Sequence, residues 1–301
     1  LRPGGASSIG PRAMNATRPD QPGITARDVV LELRADNLSK RRARLAGLDI
    51  ADGVGLWRLA ATLGWLDIRL RYRGSVLGPF WLTLSMAVMI GALGTLYGAL
   101  FHMNLRAYLP FLALSQVLWQ FLALLITDGC NCFTESESVI RSVRMPMFVY
   151  ALRVLVRNAL VLAHNVLVIV AVYLIFSIWP GWFMLLSLPG LVLMAVDGLA
   201  VALLLGAIGA RYRDIPPIIG SVMQIAFFMT PVIWKPEQLG DRAWILPLNP
   251  FFAVLDIVRA PLLGELPTAA TWGAALGYSG LLLALSWWLF VRARGRVAFW
   301  I

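Results

Sequence analysis

The sequence is poor in the residues that build most metal and catalytic centres. Of 301 residues, two are cysteine and two are histidine. Cys130 and Cys132 form a Cys-Asn-Cys triplet at the end of an apolar run. That is too few ligands for a four-coordinate zinc site, so they read as reduced packing residues. His102 and His164 lie far apart in sequence with no carboxylate at helical spacing, which leaves no pattern for a metal site or a catalytic triad. Lysine occurs only at Lys40 and Lys235. Neither follows a glycine-rich loop and no GxxxxGK[ST] occurs, so this chain carries no P-loop for ATP. Charge of either sign is sparse at 14%, against about 25% in a soluble domain.

What fills the gap is hydrophobicity, 59% of all residues. This is the composition of an all-α integral membrane protein. The net charge of +10 comes almost wholly from arginine, and it reads as membrane topology, with no nucleic acid among the expected partners.

Residues 1–55 are rich in Pro, Gly, Ser, Arg and Asp, without a sustained hydrophobic period or the apolar core of a signal peptide. They are expected to form a disordered cytosolic tail, with Met14 a candidate natural start. Residues 56–78 change character. Leu56, Leu59, Ala60, Leu63, Leu66 and Leu70 follow a 3.6-residue period while Arg58, Thr62, Arg69 and Arg73 gather elsewhere on the wheel. With Trp57 and Trp65, this amphipathic helix suits either the headgroup plane or a solvent-facing position.

Six segments can cross a hydrocarbon core, at about 79–101, 108–129, 154–178, 183–209, 215–234 and 271–291. Together they make a six-helix domain over 79–291, followed by a cytosolic tail at 292–301. With the amino end inside, thirteen Lys and Arg precede the first span, four lie between 131 and 157, two at 211 and 213, and three in the tail. Only Arg106, Lys235, Arg242 and Arg259 fall outside, which is a strong positive-inside bias.

Arg-Tyr-Arg occurs twice, at Arg71, Tyr72 and Arg73 and again at Arg211, Tyr212 and Arg213 before Asp214. Both copies fall at the cytosolic surface, as topological anchors or as working contacts. Asp197 lies deep in the fourth span, either on a polar pathway or bonded to a neighbouring helix. His164 and Asn165 share that ambiguity, and Arg153 and Arg157 read as snorkelling anchors. Small residues recur every four positions at Gly94 and Gly98, from Gly198 through Ala202 and Gly206 to Ala210, and at Gly273 and Gly277. These ridges let helices approach closely.

Two loops stand out. In residues 131–147, Thr134, Glu135 and Glu137 can cap and charge a short helix whose apolar side is Val139, Ile140 and Val143, and which Pro146 stops. It is a docking element or a simple surface turn. Residues 235–270 are apolar but broken by Pro247, Pro250, Pro261 and Pro267, and read as a re-entrant helical hairpin at the outer mouth.

Three stretches carry a resemblance: "DIRLRYRGSVLGPFWLTLSM" from Asp67, "ESVIRSVRMP" before the third span, and "LNPFFAVLDIVRAPLLGE" from Leu248. From Leu56 to its end the chain resembles the membrane subunit of an ABC-2 type transporter, in the group of polysaccharide and polyol-phosphate export permeases. The resemblance implies a homodimer in the bacterial inner membrane, both termini cytosolic, paired with two copies of an ATP-binding subunit that holds the ATP and Mg. This chain itself then binds no cofactor and is no enzyme. The helix over 56–73 resembles the interfacial gate helix, where Arg69, Arg71, Tyr72 and Arg73 meet the diphosphate and first sugars of a lipid-linked glycan. An arginine fork suits phosphate oxygens. Glu135, Glu137, Arg141 and Arg144 then belong to the coupling helix on the ATPase. Asn249, Pro250, Asp256 and Arg259 match the outer re-entrant motif. Tyr97, Trp119, Phe121, Phe227 and Phe228 are candidates for a sugar-conducting channel. Two rivals stay open: an ABC-2 exporter of drugs or lipids, and a membrane-embedded glycosyl- or phosphotransferase acting on polyprenyl lipids, for which Glu135 and Glu137 are the one close acidic pair in the cytosolic loops.

Overall fold

A computed structural model describes residues 26–100 and 102–301, with side chains described from Ser39 onward. Two units divide the chain, Leu1–Arg42 and Ala43–Ile301. The first is helical from Ala26, within α1 (Ala26–Gly55). The chain is helical by residue 26, and residues 1–25 of the expected disordered tail lie outside the described ones. In the second unit, the end of α1 turns Ala46, Asp49 and Gly53 inward, a stripe of small and polar residues that a search for apolar periodicity passes over.

The second unit continues with α2 (Trp57–Arg71), α3 (Phe80–Leu100) and α4 (Leu105–Asn131). A 3-10 turn (Thr134–Ser136) and the short α5 (Glu137–Ser142) lead into α6 (Phe148–Phe176). A second 3-10 stretch (Gly181–Leu186) precedes α7 (Ser187–Arg211), and α8 spans Ile215–Met229. A third 3-10 region (Pro236–Leu248) meets α9 (Pro250–Leu262) at a bend of 110°. The chain closes with α10 (Ala269–Ala293) and α11 (Val297–Trp300). No strand occurs among the described residues.

Among the described residues, five helices are long and apolar enough to cross a membrane: α3, α4, α6, the run ending in α7, and α10; the bent pair of the third 3-10 region and α9 makes a sixth if it counts as one span. The fifth expected span differs. α8 has 15 residues, about 22 Å at 1.5 Å per residue, short of a hydrocarbon core of about 30 Å. Beyond Met229 the backbone turns extended at Thr230. The carbonyls that follow are bonded from elsewhere, that of Pro231 by Arg259 and that of Ile233 by Tyr108. Helix hydrogen bonding is thus traded for side-chain partners over the last residues of the expected span.

α4 is the central element, buried along most of its length against α6, α7, α8 and α9. The small-residue ridge of α7 explains how α7 comes so close: a Cβ on Gly206 would lie 3.0 Å from the Gly129 carbonyl. Gly94 and Gly98 of α3 do the same against Leu109 and Leu105 of α4. Gly273 and Gly277 meet no neighbour within 4 Å, so the ridge in α10 serves no contact among the described residues. Cys130 and Cys132 are free and buried in the α4–α7 seam, their thiols directed at the carbonyls of Leu205 and Ala202. Burial pushes the Cys132 thiol up from its ordinary pKa, which keeps it a donor.

Candidate functional site

At one end of the bundle, five charged side chains from four segments converge. Arg153 in the second turn of α6 forks onto Asp67 of α2, its Nε 2.7 Å from Oδ2 and its Nη2 on Oδ1. One turn on, Arg157 lies with its side chain 6% exposed. Its Nη1 is 3.3 Å from Glu135 Oε2 and 3.6 Å from Asp67 Oδ2, and its Nη2 is 2.9 Å from Asp128 Oδ2 at the end of α4. The Asp128 contact is an ion pair by distance but is turned out of hydrogen-bond alignment, leaving Arg157 Nε and Nη2 without an aligned acceptor. Two guanidinium groups therefore hold α2, the end of α4 and the 134–136 turn to the root of α6. The backbone makes this possible at Gly64, whose missing side chain leaves α2 within contact of α6. A Cβ there would sit 3.1 Å from the Arg153 carbonyl and from the Arg157 nitrogen.

α2 packs through Ala60, Gly64 and Ile68 and turns Trp57, Trp65, Leu66 and Leu70 outward. Arg69, Arg71 and Arg73 are exposed at its end and form no ion pair among the described residues, and Tyr72 is half-buried. The chain thus presents three unneutralised cations beside an outward apolar and tryptophan-bearing face, the profile of a helix in a headgroup layer.

Among the loop residues, Glu135 belongs to the ion network, whereas Glu137 pairs with Arg141 at 2.9 Å one turn away. Arg141 also donates to the Ile301 carbonyl, and Arg144 is exposed. Thr134 donates to the Asn131 carbonyl and so ends α4 instead of capping α5. Nearby, Arg211 stacks over Tyr212 and over Trp300 of α11, each 5.3 Å from the ring centroid. Arg213 and Asp214 are exposed. A further tie comes from Asp49, buried at 3%, which accepts from the Phe148 amide at the start of α6 and from Arg294 Nε at 2.6 Å.

Midway along the bundle, α4 and α8 line a groove of about 450 Å³. Gln116, Gln120 and Thr127 stand along α4, opposite Gln224 of α8. Trp119, Phe227 and Phe228 interleave with them, with centroids 5.7 Å apart for Trp119 and Phe227 and 5.2 Å for Phe227 and Phe228. Of the aromatic residues expected to act together, these three line one groove, with Trp119 buried. Phe121 points into the core under α9 and α7, and Tyr97 packs in the seam of α3 with Tyr108 and Phe111.

At the opposite end of the bundle, Asn249 caps α9, accepting from the Phe251 and Phe252 amides while donating to Thr230 Oγ1. Pro250 fills the first turn, where its missing N–H costs nothing. Arg259, 1% exposed, donates to Ser115 Oγ, to the Pro231 carbonyl and to Asp256, and sits 4.6 Å over the Phe111 ring. Asn249, Asp256 and Arg259 thus fasten the 110° bend to α4 and to the end of α8. Deeper in, Asp197 Oδ2 accepts from Ser279 Oγ at 2.7 Å, joining α7 to α10. His164 is satisfied within its own helix, with Nδ1 2.7 Å from the Leu160 carbonyl.

Sequence reasoning missed Asp49, Asp67 and Asp128 as partners, and took Arg153 and Arg157 for anchors. The signal available was their i, i+4 spacing at the start of an apolar helix, which demands carboxylates somewhere. Comparison with known proteins gives a consistent result. A curated relative, the O-antigen export system permease protein RfbA of Myxococcus xanthus, is 23% identical over 197 residues, covering 64% of this chain and 76% of that protein. The family model for the ABC-2 type transporter matches residues 58–263, which take in α2, the ion network, the groove and the hairpin, and the chain belongs to that family.

Proposed function

We propose that this chain is the permease subunit of an ATP-driven exporter that moves a lipid-linked polysaccharide across the bacterial inner membrane. Membership in the family implies a separate ATP-binding subunit that hydrolyses ATP. In this reading two copies of each subunit assemble, and the chain crosses the bilayer six times with both termini cytosolic. α8 and its extended tail make the fifth crossing, since they link Arg211 at the arginine-rich end to the Tyr108 and Arg259 contacts at the other.

The observation that carries the proposal is the groove of Gln116, Gln120, Thr127 and Gln224 among Trp119, Phe227 and Phe228. Lipid tails cannot satisfy three amides on the outside of a bundle. A second copy facing this groove would enclose a passage with the chemistry of a glycan site: side-chain amides for hydroxyls and ring faces for the apolar faces of sugars. The relative's function as an O-antigen export permease supports the same cargo class. α2 acts in this reading as the gate helix, with Arg69, Arg71, Tyr72 and Arg73 receiving the diphosphate. α5 and the turn before it seat in the ATPase, and the Arg153–Arg157 network transmits their movement to α2.

The test is reconstitution with the ATP-binding subunit in vesicles, with a lipid-linked glycan on the outer, cytosol-equivalent side. Single cysteines at Gln120 and Gln224 should cross-link two copies in the resting state and lose that cross-link during ATP-dependent glycan uptake. Uptake by this chain without its ATPase, or turnover of a lipid-linked donor, would overturn the reading.

A further inference from the structure

A second cavity, of about 360 Å³, shares Met223 with the glutamine groove and otherwise has its own lining. Its floor is Leu125 of α4 and Val201 of α7, Val254 of α9 closes one wall, and the exposed side chains Val222 of α8 and Leu281 and Leu285 of α10 frame its mouth. The mouth therefore opens sideways, between two outer helices. This volume falls at the small end of the range for small-molecule sites, about 300 to 1,000 Å³.

The lining is apolar apart from Asp197, Ser279 and Tyr278. Asp197, ten residues into α7, borders the cavity and is 5% exposed. Ser279 occupies its Oδ2, while Oδ1 is buried with no hydrogen-bond partner. Native interiors seldom leave a buried carboxyl oxygen unmatched, because the loss of water is then uncompensated. No basic side chain borders the cavity.

We infer that this cavity is a binding site, reached from the bilayer, for a lipophilic amine whose nitrogen meets Asp197 Oδ1 and whose apolar body fills the space between α8 and α10. An alkyl tail alone would match the walls but leave Oδ1 as it is. An amine adds a charge-assisted hydrogen bond to the one carboxyl group that lines the cavity. Beyond Met223 the site shares no lining residue with the glutamine groove, and it does not depend on the cargo proposed above.

The experiment uses the full chain in lipid nanodiscs, with dodecylamine as probe and dodecanol and dodecane as controls. Infrared difference spectra report the Asp197 carboxyl group directly, its band being assigned by its absence in Asp197→Asn. Dodecylamine should alter that band saturably, with half-saturation at least tenfold below that of dodecanol, and dodecane should leave it unchanged. Val201→Phe fills the cavity while keeping Asp197. It should abolish the response with an unchanged thermal unfolding midpoint, which guards against a misfolded Asp197→Asn. Equal responses to all three probes would make the cavity a groove for lipid tails and overturn the inference. So would a response that survives Val201→Phe, or no response to the amine at all.

Discussion

Arg153 grips both oxygens of Asp67, and in doing so fixes α2 to the root of α6 across 86 positions of sequence. The pair is only partly exposed, 22% and 14% for the two side chains, so it retains much of the strength of a buried pair. Removing one partner should cost about 2 to 3 kcal/mol, a discount on fully buried cases. Asp67→Asn and Arg153→Gln, alone and together, should show a coupling energy of about 1 to 3 kcal/mol in thermal unfolding. Additive effects would mean that α2 is held by packing alone.

Gly64 supplies that packing. Gly64→Leu must push α2 away from α6, because Arg153 and Arg157 backbone atoms stand 3.1 Å from the position of the new Cβ. A loss of about 1 to 3 kcal/mol is expected. A disulfide engineered between α2 and α6 should form more slowly in this variant, and an unchanged rate would show that the helices have room to spare.

Charge at the end of α2 is predicted to serve cargo and not stability, since Arg71 and Arg73 are exposed and unpaired among the described residues. Replacing both by Gln should lower glycan export severalfold while membrane insertion and ATPase association stay intact. Inverted insertion, read by accessibility labelling, would reduce these arginines to topological anchors.

Reversing Glu135 to Arg places a third cation within reach of Arg157, which now lies 3.3 Å from its carboxylate. ATP hydrolysis by the complex should persist while export falls. Arg141→Glu breaks the pair with Glu137 and the bond to Ile301, and should act in the same direction. Export that keeps pace with hydrolysis in both variants would remove this loop from energy transfer.

Arg259→Met deletes the donor shared by Ser115, Pro231 and Asp256. Stability should fall by about 3 to 5 kcal/mol, the cost of stranding buried partners. Hydrogen exchange should rise first in α9 and the residues after α8. Protection that is lost uniformly instead would mean that the bend has no stability of its own.

Much of this architecture is legible in the sequence, because hydrocarbon imposes long apolar runs and arginine-rich ends. The break between the third 3-10 region and α9 is legible too, since Pro247 and Pro250 flank it. Two features are not. The inward stripe of α1, Ala46, Asp49 and Gly53, is small and polar and has no hydrophobic signature. The expected fifth span is shorter as a helix than its apolar run, because Tyr108 and Arg259 bond carbonyls that helix continuation would otherwise use. The site divides the same way. Trp119, Phe227 and Phe228 could be named from composition, but which aromatics share a face depends on helix rotation, and Phe121 lies on the wrong side of α4. Asp67, Asp128, Glu135, Arg153 and Arg157 assemble from four segments, and no local spacing records such a meeting.

The two partners of Asp49 are made at very different moments of synthesis. Phe148 emerges from the ribosome long before Arg294, which trails Asp49 by 245 residues. Until the end of α10 is delivered, Asp49 can dock on α6 but lacks its counter-ion. A chain halted before Arg294 therefore leaves the buried Asp49 carboxylate at the α1–α6 seam without its cation.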